Sequence, residues 1–79
     1  MSQDHSKDRY RGIALPYLKE MRQSRGLSQR ELGELARVSS GTVYRVENGL
    51  RGAYPGTVKK LAAALGVAPE ELVHGKSTQ

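Results

Sequence analysis

The chain has 79 residues, 13 of them Lys or Arg against 8 Asp or Glu, for a formal net charge of +5, and it contains no cysteine. Disulfide staples and thiolate metal sites are therefore excluded, and a chain this short has room for one thin core. His5 and His74 each stand near one end of the chain, without partners at ligand spacing, so no metal role is assigned and no cofactor is expected. No apolar run approaches the roughly 18 residues of a membrane span, and the polar start MSQDHSKDRYR lacks a signal-peptide core, so a cytoplasmic protein is expected.

Residues 1–9 are polar and without periodicity, which reads as a flexible arm ahead of a domain over residues 10–75. From Ala14 the apolar positions Ala14, Leu18 and Met21 mark one face of a first helix, with Pro16 accommodated in its first turn and Arg25-Gly26 at its end. Ser28 to Glu31 reads SQRE, a capping box that opens a second helix running to about Ala36, with Leu32, Leu35 and Ala36 on one face. Gly33 in its middle costs about 1 kcal/mol relative to alanine, a cost that close approach by another helix would explain.

Ser39 caps a third helix that stops at Asn48-Gly49. The loop LRGAYPG leads to a fourth helix carrying Val58, Leu61, Ala62 and Leu65, stopped by Gly66. Pro69 fits the first position of a short fifth helix, whose dipole suits Glu70 and Glu71, and residues 76–79 read as a disordered tail. No strand pattern, repeat or low-complexity segment interrupts this rhythm. The expected architecture is all-α: five short, compactly packed helices.

The third helix divides into two faces. At about 100° per residue, Val43, Val46, Glu47 and Leu50 fall on one side, while Gly41, Arg45 and Asn48 fall opposite, flanked by Tyr44. A serine- and glycine-rich first turn leaves backbone N–H groups accessible to phosphate oxygens, and a guanidinium suits the paired N7 and O6 acceptors of guanine. Glu47 is an anomaly on the apolar side, and so is Arg22 beside Met21 on the first helix. Two opposite charges on inward faces are most simply a pair, so an Arg22–Glu47 salt bridge tying helix one to helix three is expected.

Charge placement agrees with an anionic partner: eight basic and three acidic residues lie between Arg22 and Lys60. Lys59 and Lys60 read as a solvated face. Lys7, Arg9 and Arg11 in the arm could reach DNA, although an arm without contacts is the default. Catalysis finds no support: there is no nucleophile–base set and no phosphate-cradling glycine loop, and Glu70 and Glu71 are neighbours on an exposed turn.

The segment LSQRELGELARVSSGTVYRVENG, Leu27 to Gly49, resembles the helix-turn-helix of lambda repressor/Cro-type, Xre-family DNA-binding proteins. The likeness extends through KEMRQSRG before it and LAAALGVAPEEL after it, about residues 13 to 73. Leu32, Ala36, Val38, Val43 and Val46 match the apolar pattern, as do Gln29 and the closing Glu47-Asn48-Gly49, and the family also uses the Arg22/Glu47 pair.

The resemblance implies a lambda-repressor-like fold and a sequence-specific regulator of transcription, with repression as the expected sign. It implies that Gln29 touches the phosphate backbone. Ser39, Ser40 and Gly41 would open the recognition helix with Thr42 beside them, and Ser40, Gly41, Tyr44 and Arg45 would face base edges or adjacent phosphates. Asn48 and Arg51 would lie against the next phosphates. The partner would be operator DNA, bound by a homodimer whose expected joining surface is the helix four/five region. An antitoxin that binds a partner toxin, or a mobile-element or restriction-system control protein, would use the same fold. Two departures stand out. Arg37 occupies the turn position usually given to glycine, and Ser40-Gly41 stand where phage repressors often present glutamines, which shifts readout towards Arg45, Tyr44 and DNA shape.

Overall fold

The computed structural model describes residues 12–75 as five helices: α1 (Leu18–Ser24), α2 (Gln29–Ala36), α3 (Ser40–Glu47), α4 (Pro55–Leu65) and α5 (Pro69–His74). The all-α expectation holds among these residues. The expected arm and tail, with Lys7, Arg9 and Arg11, lie outside them.

The first helix begins later than its apolar spacing suggests. Pro16 disfavours helical backbone at Leu15, so helix starts at Leu18, and Ala14 is exposed while Leu15 takes its place in the core. The segment ahead of it is held by another element. Ile13 and Ala53 exchange two backbone hydrogen bonds of 2.8 and 2.9 Å in an isolated antiparallel bridge, and Tyr17 N–H donates to Leu72 O. That bridge pins the start of the domain to the loop before α4, a pairing too short to leave an alternating pattern in sequence.

Around one core lie Leu18 and Met21 from α1, Leu32 and Ala36 from α2, Val43 and Val46 from α3, Val58, Leu61, Ala62 and Leu65 from α4, and Leu72 from α5. Besides Ala14, two apolar residues expected inside are not. Leu35 is 60% exposed because it sits about 100° from Ala36, beyond the edge of the stripe formed by Leu32, Gly33 and Ala36. Leu50 is 65% exposed because the helix ends at Glu47, and the left-handed Gly49 turns the chain off the wheel before Leu50 is reached. The expected loop 50–56 is also shorter, since Pro55 and Gly56 form the first turn of α4.

The capping box of α2 forms fully: Ser28 Oγ accepts Glu31 N–H at 2.9 Å, and Glu31 Oε1 accepts Ser28 N–H at 2.8 Å. Gly33 is explained by proximity. A methyl there would lie 2.6 Å from Val38 O and 3.3 Å from Ser40 N, so the glycine lets the turn and the start of α3 pack directly on α2. Sequence had missed a role for Arg25. Its Nε donates to Leu65 O at 2.8 Å, so the end of α1 closes the carbonyl terminus of α4.

Four helices stop by the same device, in which two backbone N–H groups reach back to carbonyls of the last turn around a left-handed residue. Gly26, Gly49 and Gly66 serve this purpose after α1, α3 and α4. After α2 the residue is Arg37, at φ 63° and ψ 41°, with Val38 N–H on Gly33 O at 2.9 Å and Arg37 N–H on Glu34 O at 3.4 Å. The side chain therefore sits in backbone space that glycine enters without cost. Arg37→Gly should stabilise the domain by about 0.5–1 kcal/mol, after allowing for glycine's greater freedom in the unfolded chain. A thermal melt should show a Tm higher by a few degrees, and a Tm that fell would show that the arginine side chain more than offsets its backbone strain.

Candidate nucleic-acid interface

The third helix is fixed from behind by a polar clamp. The Arg22 guanidinium grips the Glu47 carboxylate with two parallel contacts, Nε to Oε2 at 2.5 Å and Nη2 to Oε1 at 3.0 Å. Its remaining Nη1 donates to Leu27 O at 2.7 Å. The Glu47 side chain is 1% exposed and that of Arg22 9%, so both charges have left water for one another. The hydrogen bond to Glu47 raises the guanidinium pKa above its ordinary value despite opposing desolvation, and the Coulomb attraction of the same carboxylate adds to the rise. A raised value means the cation's contribution is complete at every pH below the usual guanidinium range and is lost only above it.

Gln29 completes the clamp, with Nε2 donating to Glu47 Oε1 at 3.0 Å. The expected salt bridge thus exists, and the residue expected to meet phosphate is also its third member. Glu47, the last residue of α3, thus gathers α1 and the first residue of α2, and Arg22 adds the turn between them.

The opposite side of α3 faces solvent. Ser40, Tyr44, Arg45 and Asn48 are exposed, and Gly41 and Thr42 are half-buried. The Arg45 side chain has no ion-pair or hydrogen-bond partner among the described residues, while Glu34 on α2 pairs with Arg30 at 3.5 Å. Its guanidinium folds back along the helix and lies over Gly41, with Nη1 3.5 Å from where a methyl on that glycine would stand.

At the helix start Ser39 Oγ accepts Thr42 N–H at 3.1 Å, and the two hydroxyls share one hydrogen across 2.9 Å. One hydroxyl proton is then left to donate outward. The N–H groups of Ser40 and Gly41 precede the first helical bonds, those from Thr42 and Val43 to Ser39 O. At the far end Asn48 spends one amide hydrogen on Tyr44 O at 2.8 Å and keeps a second. Arg51 donates Nε to Gly52 O at 3.2 Å and stacks over the Tyr54 ring, 5.6 Å from its centroid, which leaves its two Nη groups for an anion. The structure therefore brings Ser39, Ser40, Gly41, Thr42, Tyr44, Arg45 and Asn48 to one outward helix, with Gln29 and Arg51 at its flanks. Sequence had missed the Gln29–Glu47 bond and the Arg51–Tyr54 stack.

A family model described as a helix-turn-helix domain matches residues 17–74, which includes all five helices. The chain belongs to the lambda repressor/Cro-like, Xre-type helix-turn-helix family. Within this helix-turn-helix, α2 and α3 are the two helices that the Arg37 turn joins. The chain is 44% identical over 57 residues to the HTH-type transcriptional regulator RghRB of Bacillus subtilis (strain 168); the match takes in 71% of this chain and 41% of that protein, so it spans about two fifths of the relative's length. It is similar to the restriction-modification controller protein C.AhdI of Aeromonas hydrophila, with 36% identity and a TM-score of 0.70 over 76% of this chain and 92% of the other. The P22 c2 repressor, solved with a synthetic operator, shares the fold with a TM-score of 0.73 at 20% identity, over 81% of this chain and 97% of that one. None of these names describes an enzyme. Among the described residues no helix is long and apolar enough to cross a membrane.

Proposed function

We propose that this helix-turn-helix chain is a sequence-specific regulator of transcription that reads the major groove of duplex DNA with α3 and represses by occupying its operator. The observation that carries the proposal is the division of α3. One side is locked to the core by Val43, Val46 and the Arg22–Glu47–Gln29 clamp, and the other offers an uncommitted guanidinium among small polar residues. A helix held this firmly presents its outer side chains at low ordering cost.

In this reading Arg45 and Tyr44 address base edges, and Ser40 and Gly41 let the helix sit deep in the groove. Phosphates are met by the first-turn N–H groups, by the remaining hydroxyl proton of Ser39 or Thr42, and by the second amide hydrogens of Gln29 and Asn48, with Arg51 beyond. A module of this size reads few base pairs, so binding as a homodimer to half-sites about one helical turn apart follows. The setting is the cytoplasm, where such DNA is accessible. The likeness to C.AhdI over 92% of that protein favours restriction-modification control as the second reading, which keeps the same DNA-binding face. Identity of the DNA bound separates the two: a site upstream of a restriction or modification gene supports the second.

Titration of a duplex library at several salt concentrations tests the proposal. Affinity should fall with a log–log slope of about −0.9 for each phosphate neutralised. Affinity that ignores salt would remove DNA as the partner.

A further inference from the structure

Arg45 and Gly41 stand four residues apart, on one outward face of α3. Measured from the point where a methyl on Gly41 would stand, the guanidinium Nη1, Nη2 and Cζ lie at 3.5, 3.7 and 3.8 Å. No carboxylate, carbonyl or hydroxyl holds the guanidinium among the described residues. The guanidinium lies instead in the space over a residue without a side chain, with room for a methyl but little more. The ordinary preference of long helical side chains to point towards the N-terminus supplies the direction.

From these contacts we infer that Gly41 is a positioning residue for Arg45. It gives the guanidinium a seat one turn towards the helix start, so that Arg45 serves the base pair that side chains at 40 and 41 would otherwise address. This rests on the DNA-reading role proposed above and goes beyond it by naming which residue sets where Arg45 reads. It also accounts for Ser40 and Gly41 standing where longer hydrogen-bonding side chains would compete for the same base pair. The chemistry recognised is the paired N7 and O6 acceptors of a guanine, which a guanidinium meets with two parallel donors.

The distances grade the consequences of substitution. A single methyl at 41 would touch the guanidinium at ordinary contact distance, so Gly41→Ala leaves Arg45 in place. Gly41→Val adds two γ-carbons with little choice of rotamer beyond that methyl, and these are expected to crowd the guanidinium out of its place. Selection from randomised duplexes should be run on the native chain and on Arg45→Ala, Gly41→Ala and Gly41→Val. The native chain and Gly41→Ala should prefer guanine at the same position. Arg45→Ala and Gly41→Val should both lose that preference, by about 5- to 150-fold, with other positions unchanged.

Retention of the preference by Gly41→Val, or its loss at a different base pair, overturns the positioning role. If the native chain selects no sequence at all, it is the DNA-reading proposal that fails instead. Should Gly41→Val not fold, the native chain decides. A nuclear Overhauser effect between the Arg45 δ-protons and the Gly41 α-protons is expected, and its absence contradicts the seat.

Discussion

Glu47→Ala is expected to cost about 3–5 kcal/mol of stability, a large share of what holds the domain folded. A domain of this size holds only about 4–12 kcal/mol in all, at the usual fraction per residue. The large effect comes from what is left behind. With the carboxylate gone, the Arg22 guanidinium remains buried with Leu27 O as its one acceptor, and Gln29 loses the acceptor of its bond. Burying an uncompensated cation is much more costly than losing an exposed ion pair, which is worth about 0–1 kcal/mol.

The same reasoning separates the value of the pair from the penalty of breaking it. The double substitution Arg22→Met with Glu47→Leu removes both charges and fills similar volume, so it should recover most of the stability lost by either single change. Urea titration followed by circular dichroism measures all four variants. If Glu47→Ala melted within about 1 kcal/mol of the native chain, the clamp would not be the device that fixes α3.

Arg45→Ala is expected to leave stability nearly unchanged and to weaken binding at the preferred site by about 1–3 kcal/mol. The side chain is exposed and bonds to nothing within the described residues, so the folded domain loses little when it is truncated. On DNA the same truncation would remove a bidentate contact, and the loss should appear as relaxed preference at one base pair. Affinity for unrelated duplex should fall only by the share of a single cation. Isothermal titration on preferred and scrambled duplexes distinguishes the two. Equal losses on both would make Arg45 a phosphate contact and remove it as a reader. The two substitutions are expected to make opposite pairs of outcomes: Glu47→Ala a loss of folding with α3's inner face, and Arg45→Ala a loss of recognition with its outer one.

Much of this division was legible in the sequence because it depends on local rules. The capping box at Ser28–Glu31, the stops at Gly26, Gly49 and Gly66, and the proline starts of α4 and α5 all require particular residues at particular offsets. The Arg22–Glu47 pair was legible for a different reason. Two charges in positions that pattern reserves for apolar side chains have to find each other.

What pattern could not supply were the features fixed by tertiary packing or by termination. Leu35 and Leu50 carry the right residue type, yet one lies at the edge of its stripe and the other beyond the end of its helix. The Ile13–Ala53 bridge and the Arg25 contact to Leu65 O join segments 40 residues apart, and no short-range rule predicts them. Arg37 shows the limit most clearly. Its identity argues against the left-handed turn that the fold requires, and the surrounding bonds impose it.

At the candidate interface, spacing identified the outward residues of α3 but not their commitments. Gln29 gives one amide hydrogen to Glu47, Asn48 gives one to Tyr44 O, and Ser39 and Thr42 bond to each other, while Arg45 is a cation on that face whose side chain has no partner among the described residues.

In the proposed complex α3 meets DNA with the face opposite Glu47. Amide chemical-shift mapping during titration with duplex DNA tests it most directly. The largest perturbations are expected from Ser39 to Asn48 and at Gln29, with the amides of Leu61, Leu65 and Leu72 little moved. Perturbations concentrated on α4 and α5, with α3 silent, would contradict it.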